Sequence, residues 1–143
     1  VSKNTTYFSH STLIEVPFFD VDSLQIVWHG HYIKYFEIAR CAMLDKLEYN
    51  YIHMKDDGYA WPIVDLQLKY IKSAYFGQKI RVFCDLVEYE NRLKIVYCVK
   101  DEKSKEILTK GYTIQLAVDL NTQKACFITP QNWQKRIKEF CNV

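Results

Sequence analysis

Between Asp20 and Arg40 the chain reads DVDSLQIVWHGHYIKYFEIAR and gathers side chains that titrate, donate protons or bind metals. Asp20 and Asp22 stand two positions apart and point to one side of an extended segment. His29 and His31 follow at the mouth of a predicted helix. The first turn of a helix holds N–H groups without intrahelical partners, so it can stabilise negative charge developing on a substrate oxygen at no cost in reorganisation. A carboxylate beside it, ionised near neutrality because an unperturbed Asp titrates near ~4, can act as a base or a nucleophile. The same four residues are metal-ligand types, but their spacing matches no motif with a defined coordination geometry, so no metal site is assigned.

The helix that must position these groups is expected from about His31 to Leu47. Its apolar residues Tyr32, Tyr35, Phe36, Ala39, Met43 and Leu47 recur at three- and four-residue spacing, which makes one face a core face. A strand is expected over residues 11 to 19, with Ile14, Val16 and Phe18 on one side, and Pro17 places it at an edge or a bulge. Asn50 to Gly58 reads as a short helix closed by glycine. From Ala60 alternation resumes with Pro62, Val64, Leu66, Leu68 and Tyr70 on one face. Gly77 opens a strand carrying Val82, Cys84 and Leu86, Glu90 and Asn91 turn, and Leu93, Ile95, Tyr97 and Val99 follow. A long last strand carries Leu108, Tyr112, Ile114, Leu116 and Val118, with Thr109, Thr113 and Gln115 opposite. Regular strands with turn signals between them predict one antiparallel meander, and Trp133, Ile137 and Phe140 predict a docking helix over residues 131 to 140. One helix on an antiparallel sheet is an α+β layout.

The chain as a whole narrows the function classes. Its 143 residues suffice for one hydrophobic core, and a single domain over 1–143 is expected. A net charge of +2 with both signs interspersed leaves no nucleic-acid footprint, and no apolar run reaches the roughly 20 residues that span a bilayer. The N-terminal VSKNTTYFSHS has no secretory apolar region. Five scattered cysteines without a CxxC predict reduced thiols and a cytoplasmic location.

The order strand, D-x-D loop, long helix and meander resembles the hotdog fold, an antiparallel five- to six-stranded sheet wrapped around one long central helix. The segment DVDSLQIVWHGHYIKYFEIAR is similar to the signature of the 4-hydroxybenzoyl-CoA thioesterase branch. It is nearest the YbgC-type acyl-CoA thioesterases of the Tol–Pal cluster, whose loop reads D-T-D-x-x-G-x-V-Y-H-x-x-Y and whose helix reads F-E-x-A-R. LKYIKSAYFGQKI (68 to 80) and VDLNTQKACFITP (118 to 130) resemble the family's strand-and-turn and closing segments. Gln25 stands where the family has glycine, and Ser73 where it has proline.

The resemblance implies thioester hydrolysis of an acyl-CoA or acyl carrier protein substrate, with no cofactor, since coenzyme A belongs to the substrate. It assigns the nucleophile or general base to Asp22 and leaves Asp20 a structural hydrogen-bonding role. His29 orients the thioester or lends its N–H, and Gly30 and His31 complete the oxyanion site. Glu37, of F-E-x-A-R, is expected first in a salt bridge to a neighbouring chain and second as a catalytic or substrate-binding carboxylate, with Arg40 its partner or another dimer-side contact. Gln25 shapes the acyl pocket, while Lys72, Arg92 and Lys94 are candidates for the phosphates of coenzyme A. The family's site lies between protomers, so a homodimer at least, and a homotetramer, is expected. The rival is a non-catalytic acyl-binding protein in which Gln25 blocks turnover.

Overall fold

The computed structural model describes residues 5–143. Strand β1 (Phe8–Glu15) leads through a 3-10 turn (Phe18–Asp20) to helix α1 (His31–Lys46), then α2 (Tyr51–Asp56). Strands β2 (Tyr59–Ala60), β3 (Ile63–Tyr70), β4 (Lys79–Glu88), β5 (Leu93–Asp101), β6 (Ile107–Gln115), β7 (Ala117–Asp119) and β8 (Ala125–Cys126) follow, and α3 (Gln131–Cys141) closes the chain. Five strands form an antiparallel sheet in the order β1-β4-β5-β6-β3, and a second sheet runs β2-β7-β8.

The core lies between α1 and the large sheet. Tyr32, Tyr35, Phe36, Ala39, Met43 and Leu44 are buried from the helix. Ile80, Val82, Cys84 and Leu86 from β4 meet them, with Leu93, Ile95, Tyr97 and Val99 from β5. Phe36 stacks on Tyr97 with ring centroids 4.1 Å apart. The expected long helix is of ordinary length, 16 residues. Glu48 takes a left-handed φ of 57°; its N–H bonds Asp45 O and the next N–H, of Tyr49, bonds Leu44 O, a Schellman ending. Asn50 then caps α2, its side chain accepting from Ile52 N and His53 N.

Three strand expectations need correction. β1 runs over 8–15, because Pro17 cannot donate to the ladder and the chain bends into the 3-10 turn. β1 is an edge strand, one of the two placements expected. β3 pairs with β6 rather than with its successor β4, so residues 71–78 cross between opposite parts of the sheet. The last strand breaks after Gln115, and β7 joins the smaller sheet. Its inward face is also the polar one. Thr109, Thr113 and Gln115 are buried, and the Thr113 hydroxyl meets the Tyr97 hydroxyl at 2.7 Å.

Small and polar residues face inward on β6 because the aromatic side of α1 comes so close. A Cβ at Gly111 would stand 2.3 Å from Gln67 O and 2.8 Å from Phe36 Cε2. Gly111→Ala is therefore expected to destabilise the protein by about 1–3 kcal/mol through overpacking. Urea unfolding beside wild type measures it, and an unchanged midpoint would contradict the packing described.

Candidate active site

Asp20 to Gly30 folds back on itself as a miniature hairpin. Asp22 N donates to Ile26 O and Gln25 N to Asp22 O, both at 2.9 Å, while Val21 and Val27 form an antiparallel bridge. This is a turn followed by a left-handed residue that forms a bulge, and Gln25 is that residue at φ 64°. A glycine would meet this requirement without strain; here a glutamine meets it, and its side chain is exposed. The crossing segment covers the hairpin: Val27 N bonds Ala74 O at 2.8 Å and Phe76 N bonds Gln25 O at 3.0 Å. Ala74 N in turn donates to the Tyr32 hydroxyl at 3.1 Å.

Asp20 ties this loop to the helix. It is 1% exposed. Lys34 Nζ donates to its Oδ1 at 2.5 Å and the Tyr35 hydroxyl to its Oδ2 at 2.7 Å, with His31 Nδ1 3.9 Å away. Burial pushes the Asp20 carboxyl up, but the Lys34 and Tyr35 hydrogen bonds and the Lys34 and His31 charges outweigh it, leaving it below the usual range. Burial and the Asp20 carboxylate together push the Tyr35 hydroxyl far up.

Asp22 has a different environment. It is exposed and lines an open cleft of about 350 Å³ with Trp28, His29, Tyr32, Tyr70 and Lys72. Its Oδ1 accepts from Leu24 N at 2.8 Å, which leaves Oδ2 without a protein partner among the described residues. The cleft floor is the start of α1. His31 N is taken by Trp28 O at 2.9 Å, whereas the N–H groups of His29 and Gly30 meet no protein acceptor among the described residues. The Tyr70 hydroxyl donates to His29 O at 2.8 Å and fixes that peptide. The Trp28 ring lies over Gly30, where a Cβ would stand 2.1 Å from it.

Asp22, His29 and Lys72 thus share the cleft, with Gly30 beside them. The His31 ring turns to Asp20 and its N–H is spent. Lys72 is paired with Glu106 at 3.0 Å. Four other expected residues lie elsewhere in the protomer. Arg92 is held by Glu88 at 2.9 and 3.0 Å, and Lys94 Nζ sits 4.7 Å from the Tyr112 ring centre on the far face of the sheet. Gln25 does not line the cleft. Glu37 is exposed and reaches Arg40 only at 3.9 Å. Arg40 itself is buried, donating to the Tyr51 hydroxyl at 2.8 Å and the Tyr97 hydroxyl at 3.3 Å. Among the described residues, no three Asp, Glu, His or Cys side chains converge to hold a metal. Trp28, Tyr70 and Lys34 went unassigned in the sequence; only Lys34, one turn beyond His31 on the same helix face, carried a local signal.

Known proteins resemble the chain across this region. The sequence model of the thioesterase-like superfamily matches residues 16–137. YneP of Bacillus subtilis (strain 168), provisionally named an acyl-CoA thioesterase, is 32% identical over 84 residues, 59% of this chain and 60% of its own. An esterase so named on the same provisional footing from Aquifex aeolicus (strain VF5) is 30% identical over 51% of this chain and 57% of its own, so both matches span less than two thirds of the relative. A DHNA-CoA thioesterase from Staphylococcus aureus superposes with a TM-score of 0.82 at 27% identity, over 92% of this chain and 90% of that one. A hypothetical protein from Thermus thermophilus gives 0.80 at 27% identity, over 90% and 97%. The fold is the hotdog fold these comparisons share.

The Asp20 clamp has a measurable pH signature. Asp20→Asn is expected to lower stability at pH 7 by about 1.5–3 kcal/mol, the range for hydrogen bonds to a charged group. A carboxyl depressed in the folded state contributes stability above its unfolded pKa of about 3.8, and that stability is lost as pH falls through the lower folded value. The gap between variant and wild type should therefore be constant from pH 5 to 8 and shrink below pH ~4. Urea unfolding across that range reads it, and a gap independent of pH would contradict an ionised clamp.

Proposed function

This chain belongs to the thioesterase-like superfamily, and we propose that it hydrolyses the thioester of an acyl-CoA, or of an acyl carrier protein, to a free acid and a thiol. The observation that carries the reading is the juxtaposition of a carboxylate with a free Oδ2, Asp22, and two unpaired N–H groups, of His29 and Gly30, around one open cleft. The D-x-D loop and F-E-x-A-R helix support a YbgC-type enzyme within the superfamily.

In the proposed reaction the thioester carbonyl lies over the start of α1, and its oxygen receives the His29 and Gly30 N–H groups as charge develops there. Asp22 Oδ2 either attacks the carbonyl carbon, expelling the thiolate and leaving a mixed anhydride that water cleaves, or takes a proton from the water that attacks. In both routes one water is consumed, and the acid and the thiol leave. Coenzyme A enters only as part of the substrate, and no other cofactor is needed. Lys72 at the rim is the cation available to a phosphate, in exchange for its Glu106 partner.

The rival reading, a binding protein disabled by Gln25, loses its support because Gln25 keeps the left-handed backbone while its side chain lies outside the cleft. We place the enzyme in a homodimer at least, and expect a homotetramer. β3 is an edge strand with open backbone groups and carries the exposed Val64, a surface suited to pairing with a second copy. A cytoplasmic location is supported by five cysteines that are all free. No helix of the described residues is long and apolar enough to cross a membrane.

Thiol release from a panel of short-chain, long-chain and aromatic acyl-CoAs tests the reading. Asp22→Asn is expected to lower kcat for any substrate turned over by about 10²–10⁴-fold with its melting temperature unchanged, and a chelator should leave the wild-type rate intact. Turnover that survives the substitution would remove Asp22 from the chemistry. Binding without turnover across the whole panel would restore the rival.

A further inference from the structure

The two N–H groups at the cleft belong to consecutive peptides, and each of those peptides is held at its carbonyl. The His29 N–H shares a peptide with Trp28 O, which accepts from His31 N at 2.9 Å. The Gly30 N–H shares one with His29 O, which accepts from the Tyr70 hydroxyl at 2.8 Å. The first bond is backbone and closes a turn. The second comes from a side chain 41 positions away. Helix α1 begins at His31, so its ladder makes no use of His29 O, and among the described residues no backbone N–H donates to that oxygen.

Tyr70 is built into this place from the sheet. It is the last residue of β3 and stands opposite Thr109 of β6, whose side chain is buried, so both lie on the α1 side of the sheet. Its ring meets the Tyr32 ring edge-on with centroids 5.4 Å apart, and the His29 ring at 6.3 Å. Burial pushes its hydroxyl up from the ordinary tyrosine range, so it is protonated, and a donor, at neutral pH. The Trp28 ring packs against Gly30 and limits the peptide further. A peptide is planar and trans through resonance, so its C=O and N–H point in opposite directions. A donor on the oxygen draws charge along the C–N bond and strengthens the N–H at the other end, by about 10–30% per bond in such a chain.

We propose that Tyr70 is a positioning residue of the reaction: its hydroxyl holds and polarises the His29–Gly30 peptide, so that the Gly30 N–H meets the developing oxyanion. The proposal rests on the hydrolase reading above and adds a side chain of β3 to its oxyanion site. The Tyr70 hydroxyl, the peptide and the substrate oxygen form one chain of hydrogen bonds. That chain tightens as negative charge grows on the oxygen, so its contribution falls on the transition state rather than on the bound thioester. Loss of the hydroxyl therefore lowers kcat and leaves KM in place.

The test compares wild type with Tyr70→Phe, which keeps the ring, by nuclear magnetic resonance and by thiol release from acyl-CoAs. Histidine labelled with carbon-13 at its carbonyl and glycine labelled with nitrogen-15 give one correlated signal, because His29–Gly30 is the one His-Gly pair in the chain. In the variant the His29 carbonyl carbon and the Gly30 nitrogen are expected to move upfield, as they do when a carbonyl loses its donor. kcat is expected to fall about tenfold, less than the roughly 10²–10³-fold for removal of a whole oxyanion donor, with KM and the circular dichroism of wild type. A signal that stays in place overturns the proposal whatever the activity. A kcat that holds, with or without a rise in KM, overturns it too and leaves the hydrolase reading intact. Because the spectrum needs no turnover, a signal that moves as expected in a protein that cleaves no thioester supports the polarised peptide while sinking the hydrolase reading.

Discussion

A carboxylate buried to 1% exposure is stable only when its hydrogen-bonding capacity is met, and the cleft end of this fold is arranged to meet that of Asp20. Lys34 and Tyr35, consecutive on α1, reach it from one side, and Asp20 O takes Trp28 N from the other at 3.1 Å. With that anchor in place, the loop leaves the 3-10 turn in one direction only. Two residues later Asp22 emerges on the open side of the hairpin. Six residues beyond, the chain re-enters at Trp28 and delivers the His29 and Gly30 N–H groups to the same cleft. The buried aspartate thus fixes the loop that carries the exposed one.

The pair shows how one motif divides two roles by environment. Both aspartates sit in a D-x-D sequence, and spacing alone puts them on one side of an extended strand. The 3-10 turn ending at Asp20 breaks that extension, so one carboxylate turns into the helix and the other out to solvent. The like-charge repulsion expected of two close carboxylates is relieved by Lys34, which compensates Asp20. Asp20 takes the Lys34 and Tyr35 donors, and Asp22 keeps an Oδ2 unpartnered among the described residues.

Much of the scaffold was legible in the sequence. The three- and four-residue spacing over Tyr32 to Leu47 defined most of the buried face of α1, to which the structure adds Leu44, and strict alternation defined the inward residues of β4 and β5, because those elements bury one face each against a single neighbour. The short helix expected between Asn50 and Gly58 is α2, and its Asn50 cap emerged only with the structure. The rest depends on contacts that no local pattern encodes. The polar inward face of β6 follows from how closely Phe36 approaches Gly111, and the placement of β3 beside β6 from a crossover whose residues look like an ordinary turn. In the candidate site, Asp22 and His29 stood out because they sit in the motif. Arg92 and Lys94 were not separable from Lys72 by sequence, since which strand end borders the cleft is settled by topology. Tyr70 joins the cleft from some forty positions away, and nothing near it in sequence points to His29.

The dependence of the cleft on Asp20 is open to a single decisive measurement: thioester hydrolysis by Asp20→Asn at pH 7, on protein shown to be folded by circular dichroism. If the buried clamp holds Asp22 and the α1 N–H groups in register, kcat/KM should fall by about 10²-fold, the scale of a displacement near 1 Å, although Asp20 lies outside the cleft lining. A folded variant with the wild-type rate would show that the loop holds its geometry without the clamp and would contradict the central role given to it.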